Sequence, residues 1–176
     1  MDEIALEPYD PGWPERFVAE RAALEQVLPR DEVLAIEHAG STAIPGLAAK
    51  PILDIFIAVR DIGAARQRLL EPVVSLGYVY WAENPDRSRM FFVKGMPPFG
   101  TARTHHVHVM QPHTPAWDRA ILFRDHLRAD PGCAQKYLRL KRELAALHRD
   151  DREAYTRSKD VFIEGVMNEI RSLNQK

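Results

Sequence analysis

The chain has 176 residues, with 24 Lys and Arg against 25 Asp and Glu and a formal net charge of −1. One domain holds ~100–200 residues, so a single unit over 1–176 is expected, and the near-neutral balance excludes a strongly basic nucleic-acid binder. A lone cysteine, Cys133, excludes an internal disulfide, and no apolar run is long enough to cross a bilayer.

The opening MDEIALEPYDPGW has neither the basic nor the apolar stretch of a secretory signal, so a cytoplasmic protein with no membrane partner is expected. From Trp13 or Pro14 to Leu28 apolar residues recur at helical spacing, and Pro29 closes the helix. Glu32–His38 reads as a short strand. The small residues Ala39 to Leu47 read as a turn. Ile52 to Val59 is apolar except for Asp54, the pattern of a central strand covered on both faces. Asp61–Leu76 has helical spacing, but Pro72 predicts a stop near Leu70. Tyr78–Trp81, Arg89–Lys94 and Thr104–Met110 are predicted strands, with a Gly/Pro loop at Gly95–Ala102. Helices are predicted over Ala116–Arg128, Ala134–His148 and Arg152–Leu173, with Asp150 and Glu153 as a capping box before the last. Residues 1–112 read as the sheet-containing core and 113–176 as helices packed on it. The predicted class is α+β (mixed α/β), a short mixed sheet packed by helices with a helical C-terminal third.

Asp54 is the most informative residue. A carboxylate inside an apolar strand is costly unless a cation, a metal or several N–H donors meet it. Gly40, Ser41 and Thr42 follow a predicted strand. There a glycine allows close backbone approach, and hydroxyl and N–H groups can hold phosphate. Lys50 adds a cation nearby. This is not a Walker A loop, because Gly-x-x-x-x-Gly-Lys-Ser/Thr is absent. In His105-His106-Val107-His108, strand alternation puts His106 and His108 on one face, with Val107 and Val109 on the core face. Two such imidazoles can serve one metal, move a proton, or contact phosphate. Arg124 and Arg128, one helical turn apart, are a candidate anion clamp. Arg103 is another candidate anion contact. Asp151, Tyr155 and Lys159 read as a surface ladder.

The run Glu37-His38-Ala39-Gly40-Ser41-Thr42-Ala43-Ile44-Pro45-Gly46-Leu47-Ala48-Ala49-Lys50-Pro51-Ile52-Leu53-Asp54 closely resembles the signature of the GrpB family. His105–Val109, Phe123–Arg128, Asp151–Thr156 with Lys159, and Tyr9–Pro14 resemble it in order. The resemblance implies a polymerase-β-like nucleotidyltransferase fold, in domains also found fused to dephospho-CoA kinase. It implies a Gly-Ser turn holding phosphates, matched by Gly40 and Ser41, and a metal-binding Asp-x-Asp or Asp-x-Glu pair, matched in its first member by Asp54. Phe56 stands where the second acid belongs. The expected metal ligands and catalytic groups are therefore Asp54, His106 and His108, with a divalent metal, Mg²⁺ or Mn²⁺ or else Zn²⁺. The expected phosphate contacts are Gly40, Ser41, Thr42, Lys50, Arg124 and Arg128. Three functions stay open: metal-assisted nucleotidyl or phosphoryl transfer on a nucleotide or other phosphate-bearing small molecule, a nucleotide- or coenzyme-A-related binding module, and a His-x-His metal hydrolase.

Overall fold

The structure, a computed structural model, describes residues 5–173. Helix α1 (Trp13–Val27) carries Pro14 in its first turn, where a missing N–H costs nothing. Strands β1 (Val33–Ala39) and β2 (Leu53–Val59) pair antiparallel and are joined through a single helical turn at Ser41–Ala43. The predicted helix over 61–76 is two helices, α2 (Ile62–Arg68) and α3 (Leu70–Ser75). Pro72 falls in the first turn of the second, which is where proline is tolerated. Strands β3 (Tyr78–Tyr80), β4 (Arg89–Lys94) and β5 (His105–Met110) follow.

The five strands form one mixed sheet in the order β1-β2-β5-β4-β3. The β2–β5 pair is parallel, and the other pairs are antiparallel. This mixed α+β architecture is the predicted class. One sheet face is the main core: Ile55, Ile57, Val107, Val109, Phe92 and Tyr78 pack there with Leu24 of α1 and Leu69 and Val73 beside α2 and α3.

The C-terminal helices lie on the other face. They are α4 (Pro115–Ala129), α5 (Pro131–Leu147), α6 (Arg152–Arg157) and α7 (Asp160–Leu173). Thr114 caps α4 by accepting from the Trp117 N–H, and Asp130 caps α5 by accepting from the Cys133 N–H. The helix predicted from Arg152 onward breaks at Ser158-Lys159. Its N-cap is Asp151, whose carboxylate accepts from the Ala154 N–H, so the Asp150–Glu153 capping box is corrected by one position. A second apolar cluster joins Ile44, Leu47 and Ala48, just after the Ser41 turn, to Phe123, Leu127, Tyr137, Leu138, Val166 and Met167. The helical third therefore roofs the face on which Asp54 lies. No helix among the described residues is long and apolar enough to cross a membrane.

Candidate functional site

Alternation along the strands decides which side chains reach the roofed face. Register sets Asp54 opposite His106 and Phe56 opposite His108 across the parallel β2–β5 pair, and Phe91 opposite His108 across β4–β5. Directly paired residues share a face. Asp54, Phe56, His106, His108 and Phe91 thus form one patch, while Ile55, Val107 and Val109 are fully buried below. The predicted split of the histidine run holds. His105 turns to the core side, where its ring lies edge-on to Tyr78.

His106 Nδ1 lies 2.9 Å from Asp54 Oδ1. One donor atom each from Asp54, His106 and His108 fall within 4.8 Å of one another. Burial alone would raise the Asp54 pKa, but the His106 hydrogen bond and the field of Lys50 outweigh it, so the carboxyl sits below its ordinary value. His106 Nε2 is buried without a hydrogen-bond partner, and an orphaned ring nitrogen beside a carboxylate suits a ligand atom. Arg89 Nη1 lies 3.4 Å from His108 Nδ1 and can only donate. The ring therefore accepts as a neutral imidazole, in keeping with burial that pushes its pKa down to about 3. One carboxylate oxygen and two imidazole nitrogens suit a single cation such as Zn²⁺ or Mn²⁺, which His108 would hold through Nδ1 in place of the Arg89 contact or through Nε2 in the other tautomer. They do not fit a two-Mg²⁺ pair, which needs more oxygen ligands. Phe56, in the second-acid position, instead stacks on His108 with ring centroids 4.5 Å apart.

Gly40 explains how the turn reaches this cluster. Its φ is +67°, and a Cβ there would overlap Asp54 Oδ2 and lie 2.9 Å from Asp54 Cγ. Glycine is required for both the left-handed backbone and the close approach. Gly40→Ala is expected to cost about 1–3 kcal/mol and to push the Asp54 carboxylate aside. A lower denaturant midpoint together with weaker Mn²⁺ binding checks this, and unchanged Mn²⁺ binding refutes the displacement.

Thr42 and the two arginines have partners within the chain. The Thr42 hydroxyl donates to the Ile52 carbonyl at 3.3 Å and meets His38 Nε2 at 3.0 Å, so it braces the turn. Arg124 is buried and donates to Glu37 Oε2, the His38 carbonyl and Asp125 Oδ1 at 2.7–2.8 Å. Arg128 donates to the Ala43 carbonyl at 2.8 Å. Both guanidinium groups bind α4 to β1 and the turn, so they position the roof and do not form an open two-fork clamp.

Lys50 and Arg103, both predicted as anion contacts, are joined by three cations that the sequence reading did not place there. A cavity of about 310 Å³ is walled by Ser41, Asp54, His106 and His108 on the sheet side and holds five basic side chains, Lys50, Arg103, Lys141, Arg152 and Lys159. Among the described residues no carboxylate stands at ion-pair distance from the three lysine amines. Burial is the main reason that Lys50 falls to about 8, Lys141 to about 7, and Lys159 below its ordinary value, with mutual repulsion adding to it. Aromatic faces compensate in part. Lys159 Nζ is 4.2 Å and Lys50 Nζ 5.3 Å from the Tyr155 ring centre, and Lys141 Nζ is 5.5 Å from that of Tyr137. Tyr155 is 1% exposed, so the predicted surface ladder of Tyr155 and Lys159 is instead an inner wall. The signal for Lys141 was in the sequence. It falls on the α5 stripe Cys133, Ala134, Tyr137, Leu138, Leu144, and a lysine on an apolar stripe calls for an explanation.

Comparison with known proteins agrees with this fold. The family described as GrpB protein matches residues 3–169. A UPF0157 protein of Pseudomonas aeruginosa is 52% identical over 94% of this chain and 67% of its own length. The crystal structure of conserved protein GrpB from Enterococcus faecalis superposes with a TM-score of 0.84 at 36% identity, covering 98% of this chain and 100% of that one. A dephospho-CoA kinase of Mycolicibacterium paratuberculosis is 32% identical over 89% of this chain and 43% of its own length.

Proposed function

Because the chain belongs to the GrpB family, we propose that it acts on a nucleotide or other phosphate-bearing small molecule by metal-assisted group transfer of the nucleotidyltransferase type. The observation that carries this reading is the convergence of five basic side chains on the cavity that also presents Asp54, His106 and His108. Buried or half-buried lysines without carboxylate partners lower stability, and such groups cluster where an anion is to be bound. The likeness of one dephospho-CoA kinase over 43% of its length supports a nucleotide-type ligand.

The residues divide the work. Lys50, Lys141 and Lys159 neutralise phosphate oxygens, and the Ser41 hydroxyl offers a hydrogen bond beside them. Asp54, His106 and His108 would hold the divalent cation, which supplies charge stabilisation at a phosphoryl oxygen when bound. Asp54 orients His106 through the 2.9 Å contact. A second reading, binding without turnover, is favoured by Phe56 in the place of the second acid.

A thermal-shift series with inorganic tripolyphosphate and nucleotides, each with and without Mn²⁺ or Zn²⁺, followed by product analysis, tests both. Stabilisation with product formation supports transfer. Stabilisation without product supports the binding module, and no stabilisation overturns the phosphate reading. Lys50→Met is expected to weaken tripolyphosphate binding about 10-fold, the worth of one charge-assisted contact, as measured by titration calorimetry.

A further inference from the structure

A second cavity, of about 740 Å³, opens beside the cationic one. The two share Ser41, Asp54, His108 and Thr156 as common wall, so they meet at the candidate metal cluster. Their chemistry differs. The larger chamber is lined by Phe56, Met110, Ala116, Ala120, Phe123 and Ile163, from the sheet, α4 and α7. Its charged lining is engaged within the chain: Arg119 pairs with Asp160 and Glu164, Arg124 with Glu37 and Asp125 and Arg89 with Asp86, and Arg171 donates to Asn168 Oδ1. Four arginines and no lysine line it, whereas three lysines line its neighbour.

We propose that this chamber holds the planar, apolar body of the same molecule whose phosphates lie among Lys50, Lys141 and Lys159, with Phe56 as its inner wall. The proposal rests on the phosphate reading above and names the ligand class as a nucleoside polyphosphate. A cationic chamber and a mainly apolar chamber that share one wall match a ligand with an anionic end and a flat uncharged end. Phe56 is the residue that makes the difference. An acid at that position would aim a second negative charge into the same space. The phenyl ring, stacked on His108 and edge-on to Trp117 at 6.4 Å, provides an aromatic surface in its place. The position of the missing metal ligand is thus used for recognition of the ligand body.

Titration calorimetry of the whole chain with inorganic tripolyphosphate and with ATP separates the two chambers, because both probes carry the same phosphate chain and only ATP carries a body. ATP is expected to bind at least 10-fold more tightly. Ala116→Glu, on the exposed start of α4, is expected to remove that advantage and leave tripolyphosphate affinity unchanged. Ala120→Phe fills the same chamber with an uncharged group and is expected to do likewise, which covers the case of a poorly folded Ala116 variant. Equal affinity of the two probes for the unaltered protein overturns the proposal while leaving the phosphate reading intact. An ATP advantage that survives both substitutions also overturns it. Binding of neither probe overturns both readings together.

Discussion

Asp54→Asn is expected to weaken metal binding at least ~100-fold while leaving metal-free polyphosphate binding equal or tighter. The substitution preserves shape and removes one charge. Asp54 supplies the anionic oxygen of the three-donor cluster, and loss of partners that merely orient a ligand already costs ~10–100-fold in metal affinity. Loss of the carboxylate ligand itself is expected to cost at least ~100-fold. Where metal is saturating for the unaltered protein, that is about 2.7 kcal/mol of metal-dependent stabilisation, since ligand stabilisation grows as RT ln(1 + [L]/Kd). The opposite sign for polyphosphate follows from Coulomb's law, because the negative charge removed stands beside Lys50, Lys141 and Lys159. Stability of the metal-free variant does not discriminate, since a balancing anion has been taken from a cationic cavity. Titrations with Mn²⁺ or Zn²⁺ and with tripolyphosphate do. Unaltered metal affinity removes Asp54 from the ligand set, and polyphosphate binding that falls with metal binding places the anion on the metal and not on the lysines.

The elements legible in the sequence were those whose pattern is local. Arg89–Lys94 was read to the residue, and β2 and β5 to within one, because a single polar interruption in an apolar run and alternation around His106 and His108 both report burial directly. Asp54 stood out for the same reason, and the family resemblance singled out its neighbours. The helical third was harder to read. Which face of α5 or α6 is buried depends on the layer it meets, and that layer is assembled from residues more than eighty positions away, as in the Lys141 Nζ to Ala48 carbonyl bond at 2.6 Å. Tyr155 and Lys159, four apart in a charged stretch of helical spacing, look the same whether the stripe faces water or a cavity. Arg124 and Arg128 show the reverse. Their spacing fits an anion clamp, but Glu37, Asp125 and two main-chain carbonyls meet them first. Long-range partners decide whether a basic side chain is available.

Lys141→Met is expected to reverse its effect on stability between pH 6 and pH 10. Lys141 is 2% exposed. Burial, reinforced by Lys159 and Lys50 and opposed by Asp54, lowers its pKa from 10.5 to about 7. The unfolded chain keeps the proton up to its ordinary pKa, so between these values the unfolded state binds more protons and the contribution of this group to stability rises with pH. Below about 7 the folded protein carries the full penalty of a buried ammonium beside two other lysines. Methionine fills a similar volume without charge, so at pH 6 the variant is expected to be more stable by about 2 kcal/mol, several pKa units less the ~1–3 kcal/mol of an Ala48 carbonyl left without its donor. At pH 10 lysine is neutral in the fold and the charge penalty has gone. The lost hydrogen bond then leaves the variant less stable by about 1 kcal/mol. Adding tripolyphosphate at pH 6 is expected to stabilise the unaltered protein more than the variant, because the anion relieves the repulsion that methionine has already removed. Urea midpoints across this range decide the matter. A constant offset at every pH means that Lys141 is not held near neutrality by its surroundings, and equal response to tripolyphosphate means that its amine does not face the anion.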